Sequence, residues 1–563
     1  MAGEPAKSDD TPPAATVADI LARRVGDPNP GLWFEGREWT WGEITDAAAV
    51  RAAYLDTHLD GNRPRHVGVL LDNSPEYLFL LAGAAISGAV LVGLNPTRRG
   101  EELARDLRHT DCRLVITDAG HADLLADLDL GAATDRVVLV DTDAYRDAIA
   151  AAATASAGAA RPVPAPDDLL LLIFTSGSSG APKAVRVTQG RAARAAQTKL
   201  RFGPGESLYC AMPLFHGNAL MSTVFPAAAG GARIVLTRRF SASAVLPDVR
   251  EHGCVFFSTI GRALSYILAT PPSDHDRDHQ LKIVLGPESS TADVRAFQQR
   301  FGVMVVSGYG SSENAIVMVP APGLPKHALG EPLPGLDVAI IDPESGEESP
   351  RAEFDDHGRL LNAATAVGEI VGRTALRNFE GYYNNPEANA ERSRNGWYWS
   401  GDLGYRDADG VFFFAGRTAD WIRVDGENFA AAPIERILER FPDVGAVAVF
   451  GVPDERTVDD QVMAALEYDA SAFDPTAFDA FLAEQRDMGT KWAPRYVRVV
   501  DALPVGATNK LDKKPLRSAR WMGPDPVYWR PDRKGPLVRM HAADIDALHE
   551  AFAEHGRAAV IGG

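Results

Sequence analysis

From residue 66 onward, short and almost wholly apolar strands keep alternating with helix-length stretches, and this alternation constrains the fold more than any other feature. HVGVLLD (66–72) reads as a strand, Ser74 as an N-cap with Pro75 in the first turn, and EYLFLLAGAAISGAV as a buried helix returning to LVGLNP. Further strands are expected at RLVITD (113–118), RVVLVD (136–141), ARIVL (232–236), CVFFS (254–258), KIVLG (282–286) and MVVSGYG (304–310). Strands without polar alternation bury both faces. The fold class expected is therefore α/β, a large N-terminal domain of mixed, largely parallel sheets covered by helices.

A chain of 563 residues is too long for one ordinary domain. The Ala/Gly/Pro stretch 148–166 reads as a surface helix end running into a linker. After FFFAGRTAD the pattern changes: AAPIERILERF is an amphipathic helix, VGAVAVFG a strand and PRYVRVV another. These predict a compact α+β domain of about 100 residues ending near Arg520. The expected division is 1–418, 419–520 and a C-terminal extension 521–563, Pro-rich at first and then helical over MHAADIDALHEAFAEHG.

The net charge of -19 disfavours a nucleic-acid partner, since phosphate backbones require clustered Lys and Arg. Cys112, Cys210 and Cys254 are far apart and form no CxxC pair, so they are expected as buried thiols in a reducing compartment. No apolar run approaches the roughly 20 residues of a membrane-spanning helix, and MAGEPAKSDDTPP lacks the apolar centre of a signal peptide. The expected location is cytoplasmic, with peripheral membrane contact permitted. His275 and His279 in HDRDH have i,i+4 spacing but no third ligand, and are expected in a solvated helix start rather than a metal site.

The chemistry concentrates in four segments. LLLLIFTSGSSGAPKAVRVTQ (169–189) is an apolar strand that breaks into a loop suited to polyphosphate. Gly177 and Gly180 allow close backbone approach, Thr175, Ser176, Ser178 and Ser179 offer hydroxyls, and Lys183 supplies positive charge. GYGSSEN (308–314) sets Tyr309, Ser312 and Glu313 within five residues: a ring to stack on a base, a phosphate donor and a metal-holding carboxylate. In WYWSGDLGYRDADGVFFFAGRTADWIRVDGENF (397–429), Asp402 on a Gly-flanked turn is suited to ribose hydroxyls and Arg417 to ribose or phosphate. PVGATNKLDKKPLR (504–517) places Lys510 on a Gly/Pro-flanked loop.

Taken in order, TSGSSGxPK, GYGSSE, SGDLG…GR and PxxxTNK resemble the adenylate-forming superfamily of acyl-CoA synthetases, peptide-synthetase adenylation domains and firefly luciferase, across about residues 30 to 520. The resemblance implies an ATP-dependent acyl-CoA ligase using ATP, Mg²⁺ and coenzyme A on a small-molecule carboxylic acid. It implies that Thr175 to Gly180 and Lys183 cover the β- and γ-phosphates, and that Gly286, Pro287, Glu288, Tyr309 and Gly310 form the adenine pocket. It gives Ser312 a phosphate, Glu313 the Mg²⁺, Asp402 the ribose and Arg417 a place beside it. Lys510 is the implied adenylation lysine, Gly426 lines the pantetheine tunnel, and His216 in PLFHGNAL borders the acyl pocket, with a satisfied core histidine as the alternative. Ala419 at the hinge and Asn509 before Lys510 depart from the commoner pattern. With DGEN (425–428) and the long tail, they resemble the fatty-acid transport protein and very-long-chain acyl-CoA synthetase branch, which favours a lipid-like or sterol-derived acid. A homodimer is the family-based expectation. The competing readings are an acyl-AMP ligase loading a carrier protein and a silent relative that only binds nucleotide or acyl ligand. Lys183, Glu313, Asp402, Arg417 and Lys510 together argue against the second, because binding an apolar acid requires none of those charges.

Overall fold

The computed structural model describes residues 12–561 apart from 60–63, 157–160, 162, 176–182, 198–199, 260–262, 288–290, 320, 322, 326–327, 356–359, 418–420, 425–426, 458, 486–487, 490, 507–510, 534 and 556. The chain forms two compact units, one of residues 1–307 with 380–389 and the other of 308–379 with 390–563.

The first unit is built on two sheets. One has six strands in the order Val137–Leu139, Leu114–Thr117, His66–Leu70, Val90–Gly93, Leu169–Thr175, Lys183–Thr188, parallel except for the last hairpin. Every residue of His66–Leu70 is buried, as expected of a strand covered by helices on both faces. Its crossover helix, Pro75–Ser87, begins where Ser74 Oγ accepts the Tyr77 N–H at 3.4 Å and ends at Gly88 in the left-handed region.

The other sheet has seven strands in the order Met304–Val306, Ile283–Leu285, Cys254–Ser258, Ser207–Cys210, Arg233–Leu236, Pro30–Phe34, Arg37–Thr40. Only the final pair is antiparallel. Tyr209, Phe257, Phe297 and Phe301 pack in one cluster on its helix-covered side. Residues 271–280 form turns, not the expected helix start: Ser273 N–H and Asp276 bond locally, and His279 Nε2 meets the Phe301 carbonyl at 3.1 Å. Arg250 donates to the His275 and Asp278 carbonyls, which a continuing helix would need for its own hydrogen bonds.

The second unit is mostly antiparallel. Its larger sheet runs Met318–Val319, Ala328–Pro332, Phe412–Arg417, Trp397–Arg406, Gly368–Gly372, Val338–Ile341, with Ser393–Arg394 also paired to Trp397–Arg406. A hairpin of Trp421–Val424 and Glu427–Ala430 follows. The smaller sheet runs Val447–Pro453, Asp460–Glu467, Tyr496–Val500, Val527–Trp529, Val538–Arg539. Residues beyond Trp521 thus supply two of its five strands, and the helix Ala542–Glu554 places Leu548 and Phe552 in a core with Tyr496, Trp521 and Trp529.

Polar anchors bind the same segment. Asp454, fully buried, accepts the Arg456 and Thr457 N–H groups and Gln461 Nε2, and pairs with Arg533. Burial acts to raise its pKa, but those bonds outweigh it and hold the carboxyl below its usual range. Arg557 Nε donates to the Asp454 carbonyl at 3.0 Å. Among the described residues, no helix is long and apolar enough to cross a membrane.

Candidate active site

In the first unit, Thr175 and Lys183 are cross-strand partners at the mouth of the hairpin that carries 176–182, so the structure sets the ends of the Gly/Ser loop side by side. Ser176, Gly177, Ser178, Ser179 and Gly180 themselves lie outside the described residues. Lys183 Nζ stands 5.8 Å from the centre of the Tyr382 ring, a cation–π contact. Residues 381–383 run beside the outer strand: Arg186 N–H donates to the Gly381 carbonyl and Tyr383 N–H to the Ala184 carbonyl. Glu380 accepts both the Thr188 N–H and its hydroxyl, at 2.8 and 2.7 Å. Tyr382 and Glu380 were not expected from the sequence, because nearly 200 residues separate them from the strand they fasten.

The carboxyl ends of the seven-stranded sheet hold the other expected residues of this unit, where ligands of parallel sheets characteristically bind. Gly286 follows Ile283–Leu285 and donates its N–H to the Val306 carbonyl at 2.9 Å, with Pro287 next; Glu288 lies outside the described residues. His216 follows Ser207–Cys210, half-buried, its ring 4.5 Å from that of Phe215. Gly93 makes room for this segment, since a Cβ there would stand 3.0 Å from the Phe215 carbonyl oxygen. Beside His216, Ser258 Oγ donates to Asn218 Oδ1 at 2.9 Å and receives the Ser222 hydroxyl at 2.9 Å. Ser222 sits on a π-helical turn, Leu220–Val224, an element that frequently marks functional sites and has no sequence signature.

The second unit brings Tyr309, Asp402 and Arg417 together. Tyr309 exchanges backbone hydrogen bonds with Met318, at 3.0 and 2.9 Å, and its hydroxyl donates to Asp402 Oδ2 at 2.6 Å. Burial, then the negative charge of Asp402, pushes the phenol well above its usual range, so it stays a donor at neutral pH. Asp402 is the cross-strand partner of Arg417, whose side chain lies outside the described residues.

Asp402 is in the strand Trp397–Arg406, not on a turn as the Gly-flanked sequence suggested. Its register against Gly368–Gly372 slips at Ser400–Asp402, and that bulge is what the sequence shows as a turn. Ser311 and Asn314 close a tight turn after Tyr309 that leaves Gly310 and Ser312 exposed and the Glu313 side chain buried. Gly426, Lys510 and Ala419 lie outside the described residues.

The three cysteines are buried free thiols, and burial pushes each up to about 12, which makes them inert. No group of three metal-ligating side chains occurs among the described residues.

The chain belongs to the AMP-binding enzyme family, whose model matches residues 21–383, and so to the adenylate-forming superfamily. It is 48% identical to steroid-22-oyl-CoA synthetase of Rhodococcus jostii, over 96% of this chain and 98% of that one. It is 42% identical to the medium/long-chain-fatty-acid--CoA ligase FadD17 of Mycobacterium tuberculosis, over 92% and 99%. The fold matches ATP-bound MatB from Rhodopseudomonas palustris with a TM-score of 0.76 at 23% identity, covering 89% of this chain and 98% of that one.

Proposed function

We propose that this chain is an ATP-dependent acyl-CoA ligase that converts a fatty or sterol side-chain carboxylic acid to an acyl-adenylate and then to its CoA thioester. The observation that carries this reading is the Tyr309–Asp402 hydrogen bond, which joins an aromatic ring to a carboxylate able to accept from a diol, at a strand position whose cross-strand partner is Arg417. Relatives 42–48% identical across more than nine-tenths of the chain, all CoA ligases or synthetases by name, support the acceptor and the lipid-like acid.

In this reading Asp402 takes the ribose hydroxyls with Arg417 beside it, Tyr309 and Gly310 take one side of the adenine, and Gly286, Pro287 and Glu288 take another. Thr175 to Gly180 and Lys183 hold the β- and γ-phosphates, and Ser312 adds a hydroxyl. Glu313 is a single buried carboxylate with no three-ligand cage among the described residues, which fits Mg²⁺ carried mainly by phosphate oxygens and water. When bound, Mg²⁺ would neutralise phosphate charge.

The acid carboxylate attacks the α-phosphorus, a P–O bond forms, and the bond to pyrophosphate breaks. Lys510 offsets charge gathering at the α-phosphate. The CoA thiol, giving up its proton, then attacks the acyl carbonyl and AMP leaves. The two steps use one site by rotation of a small domain, 419–520, with Gly426 lining the pantetheine path. His216 borders the acyl side. The buried thiols support a cytoplasmic enzyme, with peripheral membrane contact following from a lipid substrate and a homodimer from the family resemblance.

Pyrophosphate release and thioester formation across a panel of carboxylic acids, with and without CoA, test the proposal. Long-chain or sterol-derived acids should give CoA-dependent thioester; adenylate that never passes to CoA would overturn the ligase half. Glu313→Ala is expected to raise the Mg²⁺ needed for half-maximal rate by about 10-fold, as loss of one charged contact does. Its ranking of acids should stay as in wild type, and a changed ranking at unaltered Mg²⁺ dependence would remove Glu313 from this role.

A further inference from the structure

Trp397–Arg406 runs antiparallel to Gly368–Gly372, with Glu369 opposite Leu403 and Val371 opposite Trp399. Ile370 alone therefore faces Ser400, Gly401 and Asp402, so two extra residues are inserted where Asp402 projects. Such a bulge takes backbone N–H groups out of the ladder, and a buried one must find another acceptor.

Glu369 is that acceptor. It is 3% exposed, and its Oε1 receives the Gly401 N–H at 2.7 Å. Its Oε2 receives the Arg394 guanidinium at 3.1 Å, which lies 3.9 Å from the centre of the Trp399 ring. Burial pushes this carboxyl above its usual range, and the Gly401 N–H and Arg394 act against that.

Gly401 has φ +72°, in the left-handed region, and a Cβ there would overlap the Arg392 guanidinium. The next residue is held on both sides, its N–H by Ser400 Oγ at 3.0 Å and its carboxylate by the Tyr309 hydroxyl. Side chains on two neighbouring strands thus fix one short kink.

We propose that Glu369 is a positioning residue for ribose recognition: by holding Gly401 it fixes the bulge that aims Asp402 at the ribose hydroxyls of ATP. This rests on the assignment of Asp402 to ribose made above. A purely structural carboxylate would affect all nucleotides alike, whereas a group that aims Asp402 affects only nucleotides with hydroxyls to be read.

The test measures kcat/KM for ATP and for 2′,3′-dideoxy-ATP in acid-dependent pyrophosphate release by the full chain. Wild type should prefer ATP, and Asp402→Ala should erase the preference; an undiminished preference in Asp402→Ala would overturn the ribose assignment itself. Glu369→Ala is expected to lower kcat/KM for ATP by on the order of 10-fold to 100-fold, chiefly through KM, because small misplacements of a binding group have effects of that size. Its kcat/KM for the dideoxy analogue and its KM for CoA should stay within about 3-fold.

Glu369→Gln keeps an acceptor for the Gly401 N–H and should recover most of the preference. In an Asp402→Ala background Glu369→Ala should change the ratio no further, since residues acting as one unit are not additive. Equal loss with both nucleotides, or a preserved ATP preference in Glu369→Ala, overturns the positioning role while leaving the Asp402 assignment intact. If Glu369→Ala does not fold, Arg394→Met, which removes the exposed partner of the same carboxylate, carries the test with the same ratio.

Discussion

Lys510→Ala is expected to lower acid-dependent pyrophosphate release by on the order of 100-fold to 1,000-fold, the loss typical when one group that stabilises transition-state charge is removed. Conversion of supplied acyl-AMP and CoA to thioester should stay within about 2-fold of wild type, because no charge gathers at phosphorus when a thiol attacks the acyl carbonyl. The split between half-reactions is the informative quantity. It follows from assigning Lys510 to the adenylating arrangement alone, and equal loss of both steps would contradict a rotating small domain. Stopped assays of pyrophosphate and of thioester on one preparation measure both.

The second large effect concerns stability. Phe552 is fully buried, its ring 5.9 Å from Trp521, which stacks on Tyr496 at 5.2 Å in the middle of the smaller sheet's core. Phe552→Ala removes that ring from a site closed on several sides, so the transition that unfolds this sheet should lose about 3–5 kcal/mol. Glu550→Ala, an exposed change on the same helix, should stay within about 0.5 kcal/mol. Denaturant melts followed by tryptophan fluorescence measure it, with Trp521 and Trp529 contributing two of the nine emitting rings. A Phe552→Ala melt matching wild type would mean the helix Ala542–Glu554 contributes nothing to the core.

The parts of the fold readable from sequence are those whose cause is local. The strands of the parallel sheets bury both faces and so print themselves as unbroken apolar runs, as in His66–Leu70 and Cys254–Ser258. Ser74, Pro75 and Gly88 mark the ends of one helix by hydrogen-bonding and dihedral preference alone. The hairpin end at Thr175 and Lys183 is legible for the same reason, since the apolar strand stops where the run of Gly and Ser begins.

What escaped has partners far away in sequence. Glu369 precedes Gly401 by 32 residues and nothing local marks it, while the bulge looks like a turn because its extra residues break the period-2 alternation. Val527–Trp529 is three residues long between Pro526 and Pro531, a context that argues against a strand; yet the Pro526 carbonyl accepts the Val499 N–H at 2.9 Å and the pairing continues from there. The turn at 271–280 is a further case, a helix start expected at His275 and His279 where Arg250, some 25 residues earlier, takes the His275 and Asp278 carbonyls instead.

The strand Tyr496–Val500 has a lasting neighbour on one side, Asp460–Glu467, but its other neighbour is translated only later, together with the rings that cover Tyr496. During synthesis the sheet therefore emerges with an open hydrogen-bonding edge and a bare aromatic surface, a template for unwanted association. Chaperone dependence and ribosome-bound lifetime should consequently respond to changes after Trp521 more than to changes of equal severity in the first unit, which can close its own sheets while translation is still under way.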